Sequence, residues 1–449
     1  MPDTRSLVDN GIRPALRIPV RFTGDGAGVE ELSWGQREIW LTMLRQRSWL
    51  PIGGWFRLPA GTTVAGIADE LRWIMARYEP MRTRLRFTRD GRPLQALADR
   101  GTVGLDVYDC PDGQDPEAFV IALDARDRAR PYDFVEEWPV RMGVVRHRGE
   151  PTHLSTVMTH LVTDGIGGRL FLADIADRDN APARAAVQPL EQARWQGSPA
   201  GLRQSATALR HWERALRALP KARPPVPRPG PRYHRGEFRS AALPLATYVI
   251  SEKADVDSSQ VLMTLLAAGL PSPAVIRPMV SNRFRRGFAD VVAMVAQRGI
   301  CVADVAGVPF AEAIRRVGVA AMSAYKYAYH DPDGVEALTA RIAAEDGIDA
   351  EAGAWFNDRR VTTRQGFAGA LPTVDELRAV PAAGFRWTVT QDDPFDPLSI
   401  DVDDAPDAFL LTVFTDAHRL APADAEALVR GVEALAVQQA LGYLESEDR

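Results

Sequence analysis

Thr159-His160-Leu161-Val162-Thr163-Asp164-Gly165 sits at a junction between two kinds of secondary structure. Before it, Leu154-Ser155-Thr156-Val157-Met158 is an apolar run that predicts a strand. After it, Gly167-Gly168 leads into Arg169-Leu170-Phe171-Leu172-Ala173-Asp174-Ile175, which predicts a glycine-loosened turn entering a helix. A histidine at a strand end, followed by an aspartate and then glycines, can hold an imidazole over a cleft. That group takes a proton from an amine, alcohol or thiol near neutral pH. On this reading His160 is a general base or positions a nucleophile, and Asp164 folds the loop through an ion pair. Gly165, Gly167 and Gly168 let backbone approach a ligand without a Cβ in the way. Spacing alone leaves one alternative open, a solvent-facing histidine in a strand-to-helix connection.

Working outward, alternating strand-like and helix-like segments fill the chain. Arg17 to Phe22 predicts an edge strand, where Pro19 is tolerated. Gln36 to Leu44 and Thr63 to Tyr78 have helical spacing, the second with Ile67, Leu71, Ile74 and Met75 inward. Arg84 to Phe87 and Val140 to Val145 predict strands, and Glu117 to Arg128 a helix. Ala181 to Gln188 is a connector, and Ala206 to Leu219 is helical. The stretch from Pro220 to Pro231 is proline-dense, which removes backbone donors and favours extended conformations. It is expected to be a surface crossover. Helices follow at Gln260 to Leu270, Phe310 to Tyr329 and about Ala423 to Leu441. Strands follow at Val275 to Val280, Arg386 to Gln391 and Phe409 to Phe414. The interleaving implies an α/β architecture.

A chain of 449 residues exceeds one ordinary core and implies two similar-sized lobes. Its 46% hydrophobic and 25% charged content is that of a globular protein with ample core material. A net charge of −5 argues against nucleic acid as the main partner. The two cysteines, Cys110 and Cys301, exclude a disulfide framework and fit a reducing cytoplasm; neither has metal-type neighbours, so no metal site is expected. Met1 to Asn10 lacks a basic-then-apolar signal, and no run of about 18 apolar residues predicts a membrane span.

Several stretches together resemble the condensation domains of nonribosomal peptide synthetases, within the chloramphenicol acetyltransferase-like superfamily. Leu32-Ser33-Trp34-Gly35-Gln36-Arg37-Glu38-Ile39-Trp40 is similar to the family's S-x-A-Q-x-R-x-W motif. Arg77-Tyr78-Glu79-Pro80-Met81-Arg82-Thr83-Arg84-Leu85 is similar to R-H-E-x-L-R-T-x-F. Pro131-Tyr132-Asp133-Phe134 and Trp138-Pro139-Val140-Arg141 resemble P-F-D-L and P-L-x-R. Thr159 to Gly165 resembles H-H-x-x-x-D-G, and Pro278-Met279-Val280-Ser281-Asn282-Arg283 resembles P-V-A-G-R. Trp355-Phe356-Asn357 and Asp393-Pro394-Phe395-Asp396 fit later elements more loosely.

The resemblance implies two chloramphenicol acetyltransferase-like lobes, a V-shaped pseudo-dimer with a central cleft or tunnel. The expected division is residues 1–180, carrying the His motif, and 181–449, including the crossover near 220–231. It makes His160 catalytic and gives Thr159, Asp164, Gly165 and Arg283 supporting roles, with Asp164 paired to Arg283 across the two halves. Gln297, Trp387 and Gln391 are the candidate tunnel-lining side chains. Thr159 stands where the family has its first histidine. Val291 to Gln297 departs from I-G-x-F-V-N-T, with Gln297 supplying the nearest amide.

The implied function is a free-standing, cytoplasmic condensation enzyme. It joins an acyl or aminoacyl thioester, carried on phosphopantetheine by a carrier protein, to an amine or alcohol. No tightly bound cofactor, nucleic acid or membrane enters this reaction. A small-molecule O-acyltransferase of the same superfamily and an inactive recruitment platform are the alternatives. Arg277, Arg283, Arg285 and Arg286 form a basic cluster; Arg285 and Arg286 read either as a solvated charged surface or as a docking surface for an acidic carrier.

Overall fold

The computed structural model describes residues 11–181, 187–361 and 369–447. Met1 to Asn10 and residues 182–186 of the expected connector lie outside them. The chain divides into two compact units, Met1–Gly201 with Arg283–Ala296, and Leu202–Asn282 with Gln297–Arg449.

The first unit runs β1 (Leu16–Thr23), β2 (Gly28–Glu31), α1 (Trp34–Gln46), β3 (Pro51–Arg57), α2 (Val64–Arg77), β4 (Thr83–Phe87), β5 (Pro93–Leu97), β6 (Arg100–Cys110), α3 (Pro116–Ala129), β7 (Val140–His147), β8 (Glu150–Thr159), α4 (Gly165–Ala176) and α5 (Pro189–Gln196). Its main sheet has the order β1-β6-β7-β8-β3, and β2-β5-β4 form a smaller sheet. Only β6 and β7 run parallel in the main sheet. Pro19 is accommodated because β1 lies at the edge, pairing there with β6. Thr63 caps α2 by accepting from Gly66 N, and Ile67, Leu71, Ile74 and Met75 are buried as the helical spacing predicts. Each such side chain stabilises the fold by roughly 1.5–3 kcal/mol. They pack with Leu154 and Met158 of β8 on one face of the sheet, while α3 brings Phe119, Val120 and Leu123 to Val145 on the other.

The second unit continues with α6 (Pro199–Arg217), β9 (Tyr233–Ser240), α7 (Ala242–Ala254), α8 (Ser258–Gly269), β10 (Ala274–Val280), β11 (Gln297–Arg298), β12 (Cys301–Ala303), α9 (Phe310–Lys326), α10 (Pro332–Asp346), β13 (Ala354–Asp358), α11 (Val374–Arg378), β14 (Gly384–Gln391), β15 (Leu398–Ala405), β16 (Ala408–Asp416) and α12 (Pro422–Glu447). The sheet order is β11-β10-β13-β15-β16-β9-β14, with β12 also on β10. Successive residues of β10 serve opposite faces, as strand geometry requires. Ile276 joins the core beneath α7, α8, α9 and α12, and Val275 packs with Trp212 and Leu216 of α6 and Ile342 of α10.

The proline-dense stretch is exposed coil on this second unit. Ala222 N donates to Gly347 O at 2.9 Å and Val226 N to His418 O at 2.8 Å. The tyrosines near the end of α9 serve packing. Tyr329 is buried, Tyr327 stacks on His211, and Tyr325 Oη reaches Met263 Sδ.

Candidate functional site

His160 follows directly on β8. Thr159 O accepts from Val162 N at 3.1 Å, which closes a tight turn with His160 at its second position. His160 N donates to Leu50 O at 3.2 Å, so the turn is tied to the segment entering β3. The imidazole is half-buried, and its Nδ1 has no hydrogen-bond partner among the described residues. Burial pushes its pKa below the ordinary histidine range. Backbone groups of His160 and Thr163 and the charge of Asp164 pull partly the other way. The ring is therefore neutral at pH 7 and can accept a proton.

Asp164 caps α4, and its carboxylate is fully engaged. Oδ1 accepts from Gly167 N at 2.8 Å and from Arg283 Nη2 at 2.6 Å. Oδ2 accepts from Val295 N and Ala296 N, both at 3.2 Å. Arg283 Nη1 in turn donates to Phe288 O at 3.1 Å and Val291 O at 2.7 Å. Arg283 packs inside the first unit, so the expectation of a pair linking two halves is corrected. The returning segment 283–296 brings Arg283 to the loop. Sequence position had assigned that segment to the other lobe.

The glycines divide by role. A Cβ on Gly167 would lie 2.2 Å from Thr163 Oγ1 and 2.9 Å from Arg283 Nη2, so only glycine fits there. Gly165 is exposed, and a Cβ on it meets nothing within 4 Å; at Gly168 the nearest atom is 3.8 Å away. On α1, a Cβ on Gly35 would lie 2.2 Å from Met294 O, which lets the returning segment pass close by.

Behind the loop lies a small cavity of about 20 Å³, lined by Gln36, Thr83, Arg84, Tyr132, Thr159 and Leu161 among others. Residues from four separate sequence motifs thus meet at one place. Thr159 is buried; its N donates to Pro139 O at 3.2 Å and its Oγ1 to Trp49 O at 3.5 Å. Burial raises the Tyr132 pKa, so the phenol stays protonated and donates to Glu137 O at 3.1 Å. Arg141 grips both oxygens of Glu137 at 3.0 Å and donates to Asp127 O at 2.7 Å. Arg82, also buried, donates to Ala98 O at 2.7 Å.

The candidate tunnel residues all belong to the second unit, and the structure separates them. Gln297 is on β11 and Trp387 and Gln391 on β14, at opposite ends of the sheet order. At ~4.8 Å per strand spacing that is about 29 Å. Gln297 is fully buried and its amide donates to His330 O at 2.9 Å. Trp387 packs on Phe385 and His234, and Gln391 is exposed, donating to Asp393 O at 3.1 Å.

Sequence reasoning missed the amides of Val295 and Ala296, because a backbone donor leaves no signature in side chains. It also missed Asp174 on α4, which accepts from Tyr78 Oη at 2.8 Å and Arg77 Nη2 at 3.1 Å and anchors α4 to the end of α2. Among the described residues no group of three His, Cys, Asp or Glu could hold a metal, and no helix is long and apolar enough to cross a membrane.

A main sheet of mixed strand direction in each unit, covered by helices, belongs to the chloramphenicol acetyltransferase-like α/β fold. The chain matches a condensation domain involved in chain release from the enacyloxin polyketide synthase with a TM-score of 0.68 at 19% identity, over 93% of this chain and 84% of that one. It matches the X-domain from teicoplanin biosynthesis with a TM-score of 0.64 at 19% identity, over 90% and 94%. The Condensation domain family matches residues 53–271. A linear gramicidin synthase polypeptide of Brevibacillus parabrevis is 24% identical over 65% of this chain and 4% of that protein. Phosphinothricin tripeptide synthetase PhsC of Streptomyces viridochromogenes is 27% identical over 66% and 30%. The chain thus spans less than a third of the length of these two relatives. Together these matches support a condensation domain of the nonribosomal peptide synthetase type, with the family model covering just under half of the chain. Domains of this type act on substrates held on the phosphopantetheine arms of carrier proteins.

Proposed function

We propose that this chain transfers an acyl or aminoacyl group from a carrier-bound thioester to an amine or alcohol. The observation that carries the reading is the division of labour in the loop. His160 is held neutral in a turn, while all the acceptor capacity of the Asp164 carboxylate is spent on Gly167, Arg283, Val295 and Ala296. The nucleophile's nitrogen or oxygen attacks the thioester carbonyl, and His160 accepts its proton. The C–S bond then breaks, and the phosphopantetheine thiolate leaves and takes up a proton. Alignment supplies much of the acceleration, since well-oriented intramolecular reactions reach effective molarities of about 10⁵ M or more. An alcohol depends on the base more than a free amine does.

The test is mass spectrometry of a small pantetheine thioester mixed with the protein and a panel of amines and alcohols. Product should form with one nucleophile class, and His160→Ala should slow it by roughly 10²-fold or more. An unchanged rate would remove His160 from the chemistry. A recruitment platform is the second reading. It is favoured by Thr159 at the first motif position and by the likeness to an X-domain. Binding without turnover across the whole panel would select it.

A further inference from the structure

The proline-dense stretch has no part in the His160 loop, yet its own geometry is closely determined. From Arg223 to Pro229 every residue is either a proline or stands immediately before one. Proline fixes its own φ at about −65°, and the residue before it is pushed out of the helical region into extended backbone. The sequence therefore dictates a polyproline II path there, about 19 Å from first residue to last. The structure shows exposed coil over this span, with Val226 62% exposed. The path is anchored at both ends and in the middle. Lys221 forms a bridge with Ile348, and Val226 N donates to His418 O at 2.8 Å. Arg232 grips both oxygens of Asp416 at 3.0 and 2.7 Å. No carbonyl from Arg223 to Pro229 accepts a hydrogen bond among the described residues.

Side-chain order narrows the occupant. Residues three apart share one edge of a polyproline helix. Pro224 and Pro227 thus form a ridge, and Lys221, extended by its bridge, adds a cation three residues ahead of it. Lys221 Nζ donates to the backbone carbonyl of Asp346, and no carboxylate among the described residues pairs with Lys221, Arg223 or Arg228. The carboxylates at the anchor points are held by other arginines. Asp346 pairs with Arg217, Asp349 and Glu351 with Arg419, and Asp416 with Arg232. Asp392 accepts from Arg232 N at 3.4 Å. A strand partner does not fit, because prolines offer no N–H for a ladder. A row of aromatic rings fits. Proline rings seat between them, donors reach the open carbonyls, and a carboxylate meets the leading cation.

We propose that Lys221 to Pro229 is a docking strip for a protein domain of the SH3 type, one with an aromatic-lined polyproline groove and carboxylates at one end. The strip is already extended and tethered, so little ordering is lost when the groove closes on it. Lys221 sets the direction in which the ridge enters the groove, and Arg223 and Arg228 favour an acidic rim. The inference stands apart from the proposed function, since none of these residues belongs to the His160 loop.

The experiment adds the full chain to an isotope-labelled SH3 domain that selects Lys/Arg-x-x-Pro-x-x-Pro ligands and follows the domain by NMR. Shifts are expected at its aromatic groove, and affinity should fall roughly tenfold or more in the Pro224→Ala/Pro227→Ala double variant. Lys221→Glu should weaken binding too. No shift with the wild-type chain, or an affinity unchanged in the double variant, overturns the proposal. So do shifts confined to the acidic rim that vanish with salt, which would report charge contact alone. A peptide of residues 219–232 that binds while the full chain does not would also overturn it, since the strip would then be covered. The melting temperature and turnover of the small pantetheine thioester should match wild type in every strip variant. If the wild-type chain fails to turn that thioester over, the proposed function fails while the binding result stands.

Discussion

Replacing Asp164 with alanine is expected to damage the fold before it damages chemistry. The side chains of Asp164 and Arg283 are only 6% and 8% exposed. The substitution leaves a buried guanidinium without its carboxylate, orphans the amides of Val295 and Ala296, and removes the cap of α4. Breaking a buried pair from one side costs about 3–5 kcal/mol. Loss of the cap alone costs about 1 kcal/mol, and these contributions overlap because one carboxylate makes them all. Against a typical stability of ~5–15 kcal/mol, this is a large fraction. At ~2–4 °C per kcal/mol the melting temperature should fall by roughly 10 °C. Thermal unfolding followed by near-UV circular dichroism reads this directly. Asp164→Ala combined with Arg283→Met should recover about 1 kcal/mol or more relative to Asp164→Ala alone, since the unpaired charge is gone. A normal melting temperature with abolished thioester turnover would refute the reasoning and make Asp164 a participant in the reaction.

The two loop glycines should separate packing from ligand approach. Gly167→Ala is expected to lower stability by about 1–3 kcal/mol in urea denaturation, while Gly165→Ala leaves the midpoint nearly unchanged, so any loss of turnover there reports substrate contact. Tyr78→Phe removes a buried hydrogen bond to Asp174 and should cost about 1–2 kcal/mol by the same measurement. Turnover should fall on the acid side of neutrality in a pH–rate profile, with a midpoint below the usual histidine value of about 6.5, because burial lowers the His160 pKa. Stability should fall there too. Burial pushes His330 down to about 3, so between about 6.5 and that value the unfolded chain binds more protons than the folded one. Each pH unit in that window should cost up to ~1.4 kcal/mol, and His330→Gln should flatten the slope in denaturation series at pH 7, 6 and 5.

Elements with a strong period were legible in the amino-acid sequence. α2 announced its buried face through Ile67, Leu71, Ile74 and Met75, and β8 its apolar run into the loop. α10 was missed although Val335 and Ile342 are buried, since Pro332, Asp333 and Gly334 at its start are residue types that interrupt a helical pattern. β9 was missed because Tyr-His-Arg-Gly-Glu-Phe-Arg-Ser carries little alternation, yet it lies between β14 and β16 and is held by both. At the site, side-chain partners such as Asp164 and Arg283 could be matched by motif. Which unit Arg283 packs in could not, because the chain returns to the first unit for only a short segment.

That short return also accounts for the most divergent motif. Residues 291–296 depart from the pattern that the resemblance leads one to expect, yet what they contribute at the loop is backbone. Val295 and Ala296 each offer an N–H to Asp164, and Ala293 offers its carbonyl to Asp164 N at 3.4 Å. Backbone groups are supplied by nearly any residue, so side-chain identity here is free to drift as long as the path of the chain is kept. Gly35 on α1 is constrained by that path, because a Cβ there would strike Met294 O. The buried arginines of the other motifs act in the same way, with Arg82, Arg141 and Arg283 each collecting carbonyls that would otherwise be unsatisfied. Much of what makes the sequence recognisable is therefore the frame that holds one turn in place. On the function proposed above, His160, with a neutral ring and no partner for Nδ1 among the described residues, is the member of that turn left to accept a proton.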